Sequence, residues 1–419
     1  MANDAATLAR LSAHLETLKR DAENVRDSLQ SIDTSQTVYR ALHDPDRLPN
    51  KDFESLCSSV VNSLEQVSQA LVPSVSLLTD VFFGYLQTKA LWTLVKNNVP
   101  DHLCIDSGLS LPDLASRSSI QPDRLSQLMD MMINQGVFTF DEVAQVYRNN
   151  RASELLQKDH WTQWHLWSDL YGTDFYDVCR AMPEAVSVGE RRSAAQIAWG
   201  TEKGLFDYMA EVGLLDKFHR TLGAGAVAQS MALAVDYPFD DIANESFIDI
   251  GGGSGDFLAA ILRKQPNMTA GMLDLPSVIE RAEAEFLKPN SAYADIRDRL
   301  TAGFHAGDFF QQVPASKVYT MKWCLHDWSD EDVIRIFTTI RRDIVASPLS
   351  RLLVFESVKE PGRSSRLPRY GDLIMMITVN GQERSARSWR DLAEKSGWRV
   401  DAIHPIRRAW PCAIDLRPV

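Results

Sequence analysis

Phe247–Gly255 reads FIDIGGGSG, a short apolar run holding one aspartate, then four glycines in five positions. The apolar run predicts a strand and the glycines predict a tight turn. Asp256-Phe257-Leu258-Ala259-Ala260-Ile261-Leu262 follows with a helical pattern. Glycine suits such a turn because the backbone adopts φ values closed to other residues and a ligand approaches with no Cβ in its way. A strand, glycine turn and helix in this order can hold a nucleotide-like cofactor at the carboxyl edge of a parallel sheet.

The spacing departs from the dinucleotide fingerprint GxGxxG, since Gly251 and Gly253 fill its first two positions and Asp256 stands in the third. A second signal lies downstream. Thr269–Asp274 (TAGMLD) predicts a strand ending in an acid, followed by Leu275 and Pro276. An acid placed there can accept hydrogen bonds from ribose hydroxyls, or it can cap the helix that Pro276 begins.

Beyond these two, strands are expected at 301–306, 317–325 and 351–356, alternating with helices. That alternation predicts an α/β fold built on a Rossmann-like, doubly wound sheet. Each strand ends in a polar or special group: the glycine loop, Asp274, Gly307-Asp308, His326-Asp327 and Glu356. In an open parallel sheet these ends share one rim, where ligands bind. The shared rim points to an enzyme. His326 is its sharpest residue, because an imidazole titrating near neutrality can act as a general base. Ser329 and Asp332, just after it, have the spacing of a helix cap.

The first half reads differently. Leu8, Leu11, Leu15 and Leu18 line one face of a helix, and turn formers around 31–50 (His43-Asp44-Pro45-Asp46) predict a loop. Helices are expected from Leu111-Pro112 and from Gln121-Pro122, the second burying Leu125, Leu128, Met129 and Met132. Val137–Phe140 and Val143–Tyr147 then predict a small β-wing. This winged-helix order often serves DNA binding, yet the second helix carries Asp123, Arg124 and Asp130 with no basic cluster, so subunit pairing is the better reading. The aromatic stretch Trp161, Trp164, Trp167, Tyr171, Phe175 and Tyr176 has helical spacing, which suits either core packing or a wall of an apolar pocket. The expected division is 1–74 as a helical extension, 75–190 as a winged-helix-like dimerisation domain, and 191–419 as the cofactor-binding domain.

Composition excludes several classes. A chain of 419 residues with 45% hydrophobic content has ample core, and a formal charge of −12 argues against nucleic acid as a partner. No run of 18 apolar residues suggests a membrane span, and the first residues carry no signal-peptide core. The five scattered cysteines suit a reducing, cytoplasmic setting and offer neither a disulfide framework nor a zinc site.

Five separated motifs now agree: GGGSG, Asp274-Leu275-Pro276, Gly307-Asp308-Phe309-Phe310, the run Met321–Asp330 (MKWCLHDWSD) and Gly381-Gln382-Glu383-Arg384-Ser385. In order and spacing they resemble the cation-independent, S-adenosylmethionine-dependent O-methyltransferases of the plant caffeate/flavonoid type, and especially their fungal secondary-metabolite relatives. The resemblance covers roughly 75–405. It implies a class I methyltransferase fold with a mostly helical, winged-helix dimerisation domain, and a homodimer. It implies that Gly251, Gly252, Gly253 and Gly255 approach the methionine part of S-adenosylmethionine, that Asp274 and its neighbour Leu275 face the ribose, and that Asp308, Phe309 and Lys322 flank the adenine. It implies that His326, beside Asp327, deprotonates the acceptor hydroxyl while Glu356 and Glu383 orient the imidazole. Met209 and Met375 resemble methionines that clamp the acceptor ring, with Trp164 as a candidate wall.

No metal is expected, because a sulfonium methyl is already activated and alignment and deprotonation remain. The implied acceptor is a phenolic or enolic hydroxyl of an aromatic, polyketide-like small molecule. An alternative comes from relatives of the same fold that keep the cofactor unconsumed and catalyse pericyclic, dehydration or hydroxylation steps. Ser385 stands where the family commonly has Thr, and the segment Asp372–Glu383 is one residue shorter than in the plant enzymes.

Overall fold

Three long helices lead the chain: α1 (Ala2–Ser31), α2 (Lys51–Leu71) and α3 (Ser74–Lys96). The computed structural model describes residues 2–31, 42–44, 47–360 and 366–419, so most of the loop expected at 31–50 lies outside the described residues. The chain divides into two compact units, Met1–His43 with Leu56–Gly225 and Asp44–Ser55 with Ala226–Val419. The boundary expected at 190/191 lies inside the first of these.

In the first unit, α4 (Leu111–Ser118) begins with Ser110 as cap, whose Oγ accepts the Asp113 N–H at 3.4 Å, and Pro112 sits in its first turn where no N–H is needed. Helix α5 (Pro122–Asn134) follows, then the antiparallel pair β1 (Phe138–Asp141) and β2 (Val146–Asn149). Leu94, Leu114, Leu125, Met129, Met132 and Phe138 fill one core beneath them. At about 1.5–3 kcal/mol for each large side chain fully buried, that cluster alone is a sizeable share of the unit's stability. The expected two helices and wing are therefore present. The apolar stripe of α1 is partly open to solvent, with Leu8 66% and Leu15 45% exposed and Leu11 and Leu18 half-buried. Helix α3 exposes Val75, Leu78, Val81, Phe82, Phe83 and Tyr85. Helix α6 (Trp164–Gly172) starts an aromatic ladder, Trp164–Trp167–Tyr171–Phe175, with centroid separations of 5.1, 5.3 and 5.5 Å. Trp167 and Phe175 are buried in it, so these two serve core packing.

Helices α7 (Leu205–Glu211) and α8 (Leu215–Asp236) lead into the second unit. Its sheet has the order β5-β4-β3-β6-β7-β10-β9, with the short β8 beside β7. The strands are β3 (Ser246–Ile250), β4 (Thr269–Asp274), β5 (Gly303–Ala306), β6 (Val318–Lys322), β7 (Arg351–Lys359), β8 (Arg384–Ser385), β9 (Trp398–His404) and β10 (Pro411–Pro418). Strands β5, β4, β3, β6 and β7 run parallel, and β10 runs antiparallel to both β7 and β9. Helices α9 (Asp256–Lys264), α10 (Pro276–Leu287), α11 (Asp330–Asp343), α12 (Arg366–Val379) and α13 (Ala386–Lys395) complete the unit. Two hydrophobic clusters, one on each face, bury β3, β6 and β7 from both sides. This double burial explains their nearly unbroken apolar sequences.

Three details differ from the sequence reading. The strand expected to reach Leu325 stops at Lys322, because Trp323 takes a left-handed backbone (φ 48°) and turns the chain into a 3-10 turn over Leu325–Asp327. Glu356 is not the last residue of its strand, since β7 runs on to Lys359 where Val358 and Lys359 pair with β8. Strands β9 and β10, unforeseen from the sequence, close the far side of the sheet.

Candidate active site

Strand order reverses between β3 and β6, and the glycine loop follows β3 at that switch point, the usual ligand position in an open α/β sheet. Gly251, Gly253 and Gly255 have φ of 70°, 59° and 84°, and Gly255 is the residue before α9. At Gly252 a Cβ would lie 2.5 Å from Met272 Cγ, so bulk is excluded there for packing reasons. Around Gly253, by contrast, nothing stands within 4 Å of the Cβ position. Open space over a left-handed glycine is what a ligand-cradling turn requires.

Asp274 ends β4 beside this loop. Its Oδ2 accepts the Gly253 N–H at 2.9 Å and its Oδ1 accepts the Leu275 N–H at 2.7 Å. Burial pushes the carboxyl pKa up, and the two N–H bonds oppose the shift. The helix-cap reading is not met, because Leu275 is the residue before α10 and no side chain caps that helix, while the carboxylate pins the glycine loop at the rim. Leu275 is 57% exposed. Asp308 is exposed and its Oδ1 accepts the Phe310 N–H at 2.9 Å, while Phe309 packs on Phe310 and meets Trp328 edge-on at 6.0 Å. The Lys322 ammonium lies 4.4 Å from the Trp323 ring centre and 5.9 Å from that of Phe257. Among the described residues it has no hydrogen-bond partner. These groups fit S-adenosylmethionine: an open glycine cradle, a carboxylate for a ribose diol, and a cation with aromatic faces along one side.

The 3-10 turn after Trp323 carries His326, whose side chain is 12% exposed. Its Nδ1 lies 3.0 Å from Glu383 Oε1 and 3.4 Å from Glu356 Oε2. Asp327 Oδ1 stands 3.7 Å from Nε2, beyond hydrogen-bond reach. The network therefore assigns the Nδ1 proton to Glu383 and leaves Nε2 with its lone pair when the ring is neutral. Burial works most strongly against a charged imidazole, but Glu356, the Glu383 hydrogen bond and Asp327 together outweigh it and push the pKa up to about 10. Burial likewise raises Asp327, to about 6. Among the described residues His326, Glu356 and Glu383 are the one group of three with ligand atoms close enough to share a cation, within 4.8 Å of one another.

Support for this cluster comes from residues without obvious chemistry. Glu356 Oε1 accepts the N–H groups of Cys324 and Leu325 at 2.9 and 2.8 Å. Arg384, wholly buried, donates to the carbonyls of Leu325 and Trp328 at 2.9 and 2.6 Å and to Asp330 at 2.8 Å. Gly381 packs so closely that a Cβ there would sit 2.1 Å from the His326 carbonyl oxygen. Asp372 accepts the Glu383 N–H at 2.8 Å and pairs with Lys359 at 2.7 Å. Arg384 is thus bound to Asp330 and to backbone carbonyls, not to Glu383 as an exposed loop pair of acid and base would be. Ser329 does cap α11, its Oγ accepting the Asp332 N–H at 3.1 Å. Met375 is half-buried on α12, and its carbonyl accepts the Gly381 N–H at 3.1 Å. Trp164 and the fully buried Met209 belong to the first unit.

A Rossmann-like sheet with an open glycine loop, a rim aspartate and an imidazole held between two carboxylates defines a class I methyltransferase. Residues 210–399 match the O-methyltransferase domain family and residues 79–159 its dimerisation domain. The chain is 51% identical over 405 residues to the O-methyltransferase gliM of Aspergillus fumigatus, covering 97% of this chain and 94% of that one. With the O-methyltransferase aclM of Aspergillus oryzae it shares 44% identity over 411 residues, 97% and 95% of the two chains. Among solved structures, LaPhzM superposes with a TM-score of 0.67 at 26% identity over 83% of this chain and all of the other. The calicheamicin-biosynthesis methyltransferase CalO1 in its S-adenosylhomocysteine-bound form gives 0.72 at 23% identity over 83% and 98%. The chain belongs to the O-methyltransferase family and is an S-adenosylmethionine-dependent O-methyltransferase related to enzymes of fungal secondary metabolism.

Proposed function

We propose that the acceptor is a phenolic or enolic hydroxyl of an aromatic or polyketide-like small molecule and that His326 is its general base. The observation that carries the base assignment is the asymmetry of the ring. Nδ1 is held by Glu383 and Glu356, whereas Nε2 has no hydrogen-bond partner among the described residues. A phenol with pKa near 10 is largely protonated at neutral pH, so a positioned imidazole lowers the barrier as the proton leaves. Nε2 takes that proton while the oxygen forms its bond to the methyl carbon. Bound S-adenosylmethionine would supply a methyl group already activated by its sulfonium, with a neutral thioether as the leaving group. Glu383 and Glu356 stabilise the imidazolium that forms, as an acid beside a catalytic histidine does elsewhere.

In this reading Gly251, Gly252, Gly253 and Gly255 line the methionine end of the cofactor, Asp274 and Leu275 its ribose, and Asp308, Phe309 and Lys322 its adenine. Met375, in the same unit as His326, would bound the acceptor. The matched dimerisation domain and the exposed apolar residues of α3 support a homodimer. No single described helix is long and apolar enough to cross a membrane, which is compatible with a cytoplasmic enzyme.

Incubation with methyl-labelled S-adenosylmethionine and a panel of phenolic and enolic compounds tests the acceptor class. Label is expected on an oxygen of the product with one equivalent of S-adenosylhomocysteine. Label only on nitrogen, carbon or sulfur acceptors overturns it.

A further inference from the structure

Neither matched family domain extends before residue 79. Residues 44–55 lie ahead of both, yet they belong to the catalytic unit. Leu48 packs against that unit's core and Phe53 is buried. Two consecutive arginines of the β9–β10 connection hold the segment. Arg407 donates to the Pro49 carbonyl and grips Asp236, at the end of α8, through Nη2 at 2.5 Å and its own backbone N–H at 2.8 Å. Lys51 adds a 3.4 Å contact to the same carboxylate. Arg408 donates to the carbonyls of Asp44 and Arg47, the latter at 2.8 Å.

Two residues further on, Trp410 reaches the sheet rim. Its N–H donates to Gln229 Oε1 at 3.1 Å, and its ring meets Trp323 edge-to-face with centroids 6.5 Å apart. Pro411 then pairs with Ser357 and Cys412 with Glu356, so Trp410 stands two residues before the partner of the acid that anchors the His326 loop. Trp323 and Arg408 both have left-handed backbones, φ 48° and 51°. For large L side chains that conformation is uncommon and persists where surroundings enforce it, characteristically at functional sites. Trp323 meets Trp410, and Arg408 is held by the carbonyls of Asp44 and Arg47.

We infer that residues 47–55 act as a strap which, through Arg408, sets Trp410 against Trp323 and so positions the end of β6 that carries Lys322 at the cofactor site. Trp410 is thus a positioning residue. The inference rests on the cofactor assignment of Lys322 made above, and it is read in cofactor affinity, which does not depend on His326 being the base.

Calorimetric titration of S-adenosylhomocysteine into full-length Trp410→Leu, Arg408→Ala and the double variant tests it. Each single change is expected to weaken binding about 5- to 20-fold, and the double no more than the worse single, because residues acting along one path are not additive. Trp410→Phe and Arg408→Lys should stay within about threefold of wild type, and they keep the test readable if the harsher variants fold poorly. Unchanged affinity with a lowered melting temperature marks a merely structural role and overturns the inference, as does a double variant whose losses add. Lys322→Met, titrated in parallel, separates the two assignments. Unchanged affinity there removes Lys322 from the cofactor site, while the coupling of Arg408 to Trp410 still stands or falls on its own titrations.

Discussion

Glu356 faces His326 with one carboxylate oxygen and holds the loop beneath it with the other. Oε2 lies 3.4 Å from Nδ1, while Oε1 accepts the Cys324 and Leu325 N–H groups. One buried acid therefore fixes both the position and the charge of the imidazole. That economy makes the site sensitive to single substitutions, in ways that separate binding from chemistry.

Deleting the imidazole is the simplest case. His326→Ala is expected to lower kcat by about 10² to 10⁴, the usual share of a general base. Cofactor affinity should change less than about twofold, because the imidazole is held by Glu383 and Glu356 and by none of the groups assigned to the cofactor. Turnover measured beside calorimetry checks both. Near-normal methylation of a phenol by the variant rules out the deprotonation role.

The pH dependence follows from the carboxylates around the ring. A pKa pushed up to about 10 means that the base form appears only as pH rises, so the rate should climb well above the ordinary imidazole value of 6.5. As a stability term the same shift works in the other direction. The charged ring stabilises the fold fully below about pH 6.5, and that contribution is lost as pH rises through about 10. Glu383→Gln removes one charge and should move the rising limb of kcat/KM to lower pH. A limb centred at the ordinary imidazole value, unmoved by the substitution, contradicts this account.

Asp274→Ala removes a carboxylate that already orders Gly253 and Leu275. Losing charge-assisted bonds of this kind costs roughly 1.5–3 kcal/mol, so affinity for S-adenosylhomocysteine should fall by about 10- to 150-fold. Calorimetry that finds no change removes Asp274 from the cofactor site.

Subunit pairing is tested at α3. The full chain should scatter light as twice 47.1 kDa, and Phe82→Asp, placing a charge within an exposed apolar helix face, should shift it toward the monomer. A wild-type monomer at micromolar concentration rejects the homodimer.

How far the sequence revealed this site depended on the kind of signal each residue leaves. The glycine turn, Asp274, His326 and Glu356 stood out because special residue types recur where the expected strands end, whereas Glu383 entered only through the family motif. The end of β6 was not, since Trp323-Cys324-Leu325 is as apolar as a strand, and only a left-handed tryptophan shows that the chain turns. Strands β9 and β10 carry no rim chemistry, so nothing marked them. Arg384 and Gly381 were opaque for a deeper reason. Their partners are backbone carbonyls of Leu325, His326 and Trp328, brought close only by the fold.

Gly381 gives the sharpest steric test. Its N–H donates to the Met375 carbonyl at 3.1 Å, and the next N–H, of Gln382, donates to the His326 carbonyl at 2.8 Å. A Cβ at position 381 would lie 2.1 Å from that same His326 oxygen and 3.1 Å from Asp327 Cα. Both neighbours are backbone atoms, so no side chain can rotate away, and Gly381→Ala must separate the His326 loop from the segment bearing Glu383. Overpacking of this kind costs roughly 1–3 kcal/mol. The displacement also lengthens the His326–Glu383 contact, and misplacement by about 1 Å can lower turnover on the order of 100-fold. Gly223→Ala is the control: this helical glycine has nothing within 4 Å of its Cβ position, and alanine there should stabilise by about 0.5–1 kcal/mol with turnover unchanged. Thermal melts and kcat for the two variants should therefore diverge in both observables. Wild-type melting and turnover for Gly381→Ala would mean that the His326 loop moves freely against Gly381, and the account of how the imidazole is held would fail.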